Sequence, residues 1–153
     1  FGHISGFIFP ALLFALGQDA AAGGSVSPNP QHSGHYGHKV AWTADVNGDN
    51  RREAAVGAPG EPVFGLANAG AVYLVDPTSH AVVHTLFAPE PQENGGFGKA
   101  LSGSGGLAGD GRPHLAVGAP DEDETALGAW TDCGAVYLFH MKILLNSSST
   151  LSR

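Results

Sequence analysis

Residues 45–53 read Asp45-Val46-Asn47-Gly48-Asp49-Asn50-Arg51-Arg52-Glu53, with oxygen-bearing side chains at alternating places. Asp45, Asn47, Asp49 and Glu53 stand at loop positions 1, 3, 5 and 9, and Arg51 at position 7 can add its backbone carbonyl. Hard oxygen donors spaced along a flexible loop suit calcium better than softer metals. Gly48 lets the chain curl so that these donors face one centre, and Asn50 tolerates a left-handed φ better than most residues. An EF-hand is the wrong frame: it needs Gly at position 6 and Glu at position 12, where Asn50 and Val56 stand, and strand-like residues flank the loop. The competing reading is an Asx-rich turn that binds nothing.

Other groups point to less. His32, His35 and His38 share a three-residue spacing that would put them on one helix face for zinc, but Pro30, Gly34 and Gly37 oppose a helix there. Asp121-Glu122-Asp123-Glu124 reads as a solvated acidic loop, or as a weak cation or partner contact. Cys133, the single cysteine, cannot form an intrachain disulfide and reads as a small apolar residue beside a strand. No nucleophile with a neighbouring base and no phosphate-cradling loop stands out, so the reading is not an enzyme. Seven Lys and Arg in a chain of net charge -7 make no basic stripe, which excludes a nucleic-acid partner. The apolar run 7–16 is too short to span a bilayer and reads as a truncated signal segment or a buried strand.

The elements that must position the loop follow from an internal repeat. Tyr36-Gly37 recurs as Phe97-Gly98, Gly48-Asp49 as Gly109-Asp110, and Ala55-Val56-Gly57-Ala58-Pro59 as Ala116-Val117-Gly118-Ala119-Pro120, all offset by 61 residues. Gly70-Ala71-Val72-Tyr73-Leu74 returns as Gly134-Ala135-Val136-Tyr137-Leu138, three residues late, so the second unit carries a short insertion. Twenty-three glycines and 10 prolines cut the chain into short extended runs. In the first unit these are residues 39–44, 53–57, 71–75 and 81–87, which should pair as an antiparallel meander. Such a sheet cannot bury both faces alone, which is why four-stranded units stack radially as β-propeller blades. Trp42, Tyr73, Tyr137 and Phe139 are expected in the packing between blades. The second unit lacks a counterpart of the Asp76-Pro77-Thr78-Ser79 turn, so its fourth strand has no clear signal. Its loop has Gly106, Ala108, Asp110, Arg112 and His114 at the donor positions and should not bind calcium.

The segment from Tyr36-Gly37 through the acidic loop to Gly57-Ala58-Pro59, repeated from Phe97-Gly98 to Gly118-Ala119-Pro120, resembles the FG-GAP repeats of the integrin alpha-subunit β-propeller. It departs from them in Tyr36 for Phe and Glu53 for Asp. The resemblance implies an all-β fold and a partial propeller of two tandem four-stranded blades. It implies calcium (Ca2+) held by Asp45, Asn47, Asp49, the Arg51 carbonyl and Glu53. The family's seven blades would need roughly 430 residues at this period, so 153 residues imply a fragment of a larger propeller, or blades contributed by other copies. The expected organisation is an apolar segment at 1–24, blades at 25–87 and 88–146, and a polar tail at 147–153. By the same resemblance the module is extracellular and non-enzymatic, and serves protein–protein interaction or cell adhesion. The alternative is the non-catalytic part of a secreted hydrolase such as a glycosylphosphatidylinositol-specific phospholipase D.

Overall fold

Runs rich in Val, Ala and aromatic residues, cut by Gly, Pro, Asn and Asp, become the seven strands of a computed structural model that describes residues 23–104, 113–123 and 130–141. The first unit holds β1 (Lys39–Trp42), β2 (Ala54–Ala58), β3 (Ala71–Val75) and β4 (Val82–Leu86). The second holds β5 (Ala100–Ser104), β6 (His114–Ala119) and β7 (Ala135–His140). Every pairing is antiparallel between sequence neighbours, in the order β1-β2-β3-β4 and β5-β6-β7. Short connections leave little alternative to such a meander. The described residues are thus all-β, in two blade-like sheets. A fourth strand for the second unit, the apolar segment 1–22, most of the second loop and the polar tail all lie outside the described residues.

β1 is shorter than its apolar run suggests. Beyond Trp42 the chain is still tethered, because Thr43 donates its N–H to the Glu53 carbonyl at 2.9 Å, and its hydroxyl contacts the same oxygen. The run therefore ends where the loop begins.

Side chains alternate faces along a strand, so each sheet offers two surfaces. Ala55, Val72, Leu74 and Leu86 of the first sheet pack against Leu101, Leu115, Val117 and Ala119 of the second, with Phe97 between them. Tyr137 and Phe139 surround Phe97, at ring-centroid separations of 5.8 and 5.9 Å. The opposite face of the first sheet gathers Val56, Ala58, Tyr73 and Val75 into a second cluster, with the Tyr36 ring tilted against that of Tyr73 at a centroid separation of 5.6 Å. Tyr137 and Phe139 therefore lie between the sheets as expected. Tyr73 and Trp42 do not: Tyr73 lies on the face turned away from the second sheet, and Trp42 is 59% exposed, its main chain making the approach instead. A Cβ on Gly103 of β5 would fall 1.8 Å from the Trp42 carbonyl oxygen, so backbone meets backbone there.

The two units are joined through backbone as well. N–H groups of Asn94, Gly96 and Phe97 donate to the carbonyls of Ala67, Asn68 and Ala69 at 2.7, 3.0 and 3.0 Å. Two glycines make room for this turn. A Cβ on Gly70, whose φ is +88, would lie 2.2 Å from the Phe97 carbonyl oxygen, and one on Gly57 would lie 2.2 Å from that of Gly98.

Each sheet also carries a buried glutamate after its GAP segment. Tyr73 donates its hydroxyl to Glu61, which also accepts from Ser27; Tyr137 donates to Glu122. Burial, and then the glutamate partner, push both phenols well above the ordinary tyrosine range. Glu122 is not the solvated residue expected of an acidic run: it is buried, and burial raises its carboxyl above the usual 4.5 despite the Tyr137 hydrogen bond. Its neighbours are also engaged, Asp121 with Lys99 and Asp123 with Gln92 and Asp132. A charge run read as a string cannot show that the turn aims alternate carboxylates in opposite directions.

Two outcomes follow for stability. Gly70→Ala should lower thermal stability by about 1–3 kcal/mol for the backbone conformation alone, and by more for the contact with Phe97. Gly65→Ala has the same φ of +88 but open space around it, so it should cost clearly less; equal losses would discount the close approach. Because the folded Glu122 carboxyl binds its proton more tightly than the unfolded one, its contribution is full below about pH 4.5 and is lost as pH rises through the folded value. Glu122→Gln keeps an acceptor for Tyr137 but cannot ionise. Melting curves from pH 4.5 to 7.5 should therefore show the variant gaining on the wild type as pH rises, and parallel curves would refute this.

Candidate metal centre

The β1–β2 connection folds the acidic loop onto itself through its own amides. Asp45 accepts from the N–H groups of Gly48 and Asn50, at 2.6 and 2.8 Å. Asn47 accepts from Asp49 at 2.9 Å, and Asp49 accepts from Arg51 at 2.8 Å. This winding requires left-handed backbone at two residues, Gly48 (φ 86) and Asn50 (φ 67), the positions where the sequence has residues suited to it.

The result brings three carboxylates together. One oxygen from each of Asp45, Asp49 and Glu53 lies within 4.8 Å of the others, Asp49 at the surface and Glu53 fully buried. Glu53 sits immediately before β2, where Val46 donates its N–H to one carboxylate oxygen at 2.7 Å. The other oxygen, Oε1, is buried with no partner among the described residues. A buried acceptor of that kind is costly unless something supplies positive charge or a donor. Burial first, and then the charges of Asp45 and Asp49, raise the Glu53 carboxyl above its usual range, with the Val46 N–H working the other way. Three clustered carboxylates, one of them carrying an orphaned buried oxygen, fit a hard divalent cation.

The remaining donor residues take supporting positions. Asn47 gives its amide N–H to Asp76 at 3.1 Å. The Arg51 guanidinium reaches Thr78 across the neighbouring turn. Asp76 was not singled out in the sequence, yet it ties the loop to the β3–β4 turn by also accepting from the N–H groups of Thr78 and Ser79, both at 2.7 Å. Those two amides, that of Ser79 foremost, hold the Asp76 carboxyl below the usual range. Its second-unit counterpart is His140, so the internal repeat carries no signal for it. Glu61 and Glu122, by contrast, recur at the repeat offset, which would have marked them.

In the second unit, Gly106, Ala108, Asp110 and Arg112 lie outside the described residues. Of that set only His114 is described, in the place of Glu53. It stacks on His140 with ring centroids 5.3 Å apart, so two imidazoles stand where the first unit has Glu53 and Asp76. The other histidines form no helix face. His32, His35 and His38 are exposed on turns before β1, and the rings of His35 and His38 meet edge-on at 6.4 Å. No helix of the described residues is long and apolar enough to cross a membrane.

Comparison with known proteins agrees with this geometry. The FG-GAP repeat family model matches residues 36–75, which run from the Tyr36-Gly37 turn through the acidic loop to the end of β3. The chain is 39% identical to mouse (Mus musculus) integrin alpha-M over 95 residues, which is 56% of this chain and 8% of that protein. It is 40% identical to human (Homo sapiens) integrin alpha-IIb over 100 residues, 59% of this chain and 9% of that protein. Human integrin alpha-D is 38% identical over 95 residues, 56% of this chain and 8% of that protein. The chain thus spans less than a tenth of the length of these relatives. Residues 36–75 are an FG-GAP repeat, and over more than half its length the chain is similar to integrin alpha chains.

Proposed function

We propose that the chain is a calcium-stabilised, extracellular FG-GAP propeller module that serves protein–protein interaction or adhesion and has no catalytic role. The observation that carries the calcium reading is the buried, unpartnered Oε1 on a Glu53 carboxylate that clusters with those of Asp45 and Asp49. Asp45, Asp49 and Glu53 hold the ion by carboxylate, with Asn47 and the Arg51 carbonyl completing the oxygen set. The ion cancels the repulsion among three like charges, and so it clips the β1–β2 connection to the sheet. Two units spanning 25–87 and 88–146 are the building blocks, with further repeats covering the faces they leave open.

An outside location agrees with the chemistry, since extracellular modules bind calcium with Kd of roughly 10⁻⁴ to 10⁻³ M and need a compartment that keeps them filled. The similarity to integrin alpha chains supports binding of a protein ligand rather than chemistry on a substrate.

Thermal unfolding with calcium and with chelator tests the clip. Calcium at about a hundred times its Kd should add ~2.7 kcal/mol of stability. Asp45→Ala with Asp49→Ala should abolish that increment, and a melt indifferent to calcium would sink the assignment. Glu53→Gln should change sign between the two conditions. It should raise the melting temperature in chelator, where it removes a buried charge facing two others, and lower the calcium-dependent gain, where it removes a ligand. A variant destabilised equally in both conditions would mark Glu53 as structural only.

A further inference from the structure

We propose that His114 and His140 form a two-histidine chelate for an imidazole-seeking divalent metal such as zinc or copper(II), with water in the remaining positions. His114 opens β6, His140 closes β7, and the two are directly opposed in the register. Beside them the N–H of Met141 donates to the Pro113 carbonyl at 2.9 Å, so 113 and 141 are a hydrogen-bonded pair and 114 and 140 a non-hydrogen-bonded one. Side chains stand closest in pairs of the second kind, with Cβ atoms about 4.5–5.5 Å apart. The two imidazoles accordingly stack, with centroids 5.3 Å and planes 29° apart. An ion bonded at about 2.0–2.1 Å to each nitrogen bridges donors roughly 3–4 Å apart. Rotation of two such close rings about χ2 reaches that span.

One of the two rings already lacks a partner. Nδ1 of His114 is buried with no hydrogen bond among the described residues. In either tautomer a buried ring nitrogen left unpaired is costly, and a metal ion that takes its lone pair removes the cost. The same defect recurs at the same place in the first unit, where Glu53, 61 residues earlier, leaves Oε1 buried and unpartnered. His140 likewise stands where the first unit has Asp76. The repeat has kept the place and changed the donor chemistry. Carboxylate oxygens suit calcium, whereas neutral imidazole nitrogens suit zinc, copper and nickel. His35 and His38 are the competing pair, but their rings meet edge-on at 6.4 Å and neither carries a buried unpartnered nitrogen.

The site uses other residues, another unit and another class of ion than the loop at 45–53, so it holds whether or not that loop takes calcium.

Zinc titration of the whole chain, read by melting temperature, and the electron-spin spectrum of bound copper(II) test it. Zinc should raise the melting temperature of the wild type, of Asp45→Ala with Asp49→Ala, and of His35→Ala with His38→Ala, and excess calcium should not displace it. His114→Phe and His140→Phe each keep an aromatic pair across the strands but leave a single ligand. Each should retain its melting transition and bind zinc at least about tenfold more weakly. Copper(II) should show coupling to two imidazole nitrogens in the His35→Ala, His38→Ala chain, and acid should release it, because a protonated imidazole is no ligand. Zinc affinity unchanged in both phenylalanine variants would overturn the proposal, as would a wild type indifferent to zinc. A zinc response lost with Asp45 and Asp49 would place the ion in the acidic loop, and one lost with His35 and His38 would place it on the turns; either refutes the chelate. Should a phenylalanine variant fail to fold, the copper(II) spectrum decides, and the absence of two-imidazole coupling refutes the site.

Discussion

A four-stranded sheet with apolar side chains on both faces cannot stand in water alone, and here the first sheet is covered on one side by a second built from the other copy of the repeat. That cover depends on two glycines. Gly57 and Gly70 let the Phe97-Gly98 turn descend until its carbonyls almost touch their Cα hydrogens, and this depth lets Asn94, Gly96 and Phe97 reach the carbonyls of residues 67–69. The joint combines area burial, which is tolerant of detail, with three directed hydrogen bonds, which are not. Register between the units therefore comes from the backbone, and the hydrophobic surface follows it.

The buried glutamates belong to the same design. Each GAP segment is followed by a turn that must present carbonyls to the neighbouring unit while remaining rigid. Glu61 links this turn to Tyr73 of β3 by its carboxylate and to Gly70 by its carbonyl, and Glu122 repeats both links with Tyr137 and Gly134. Burying a carboxylate is expensive unless donors meet it. Here the tyrosine hydroxyl meets one carboxylate oxygen at a point where the strand cannot slide without losing the bond, while Oε1 of Glu122 is buried without a partner among the described residues.

Much of this was legible in the sequence, for identifiable reasons. The strands of the first unit were readable because turn residues bracket each run and because the repeat gives every run a second witness. The gathering of Asp45, Asp49 and Glu53 was readable because oxygen-bearing residues alternate there, and alternation with glycine in the middle is a geometric statement by itself. Glu122 was misread because four acidic residues in a row look solvated, and only the turn shows that one of them points inward. Trp42 was misread because an aromatic on a strand suggests packing, while at this place the sheets approach so closely that main chain takes the contact. Asp76 was legible only as a turn residue, because its counterpart is His140 and the repeat carries no signal for its link to the acidic loop.

The acidic loop and the joint lie at opposite ends of the same strands. β1 leads to β2 through residues 45–53, and β2 leads to β3 through the segment that receives the Phe97 turn, so β2 runs from Glu53 at one end to Gly57 and Ala58 at the other. The hydrogen bond from Val46 to Glu53 orders the first end and so fixes where β2 begins. Register along an antiparallel strand is all or nothing, because a slip of one residue turns every side chain to the other face. Ordering Glu53 therefore keeps Ala55 and Gly57 on the face that meets the neighbouring unit. In the second unit His114 and His140 stack across β6 and β7 at the same end, where they meet as directly opposed residues. Cross-strand aromatic pairs stabilise a sheet locally, so this unit has a different means of pinning the strand whose far end holds Gly118.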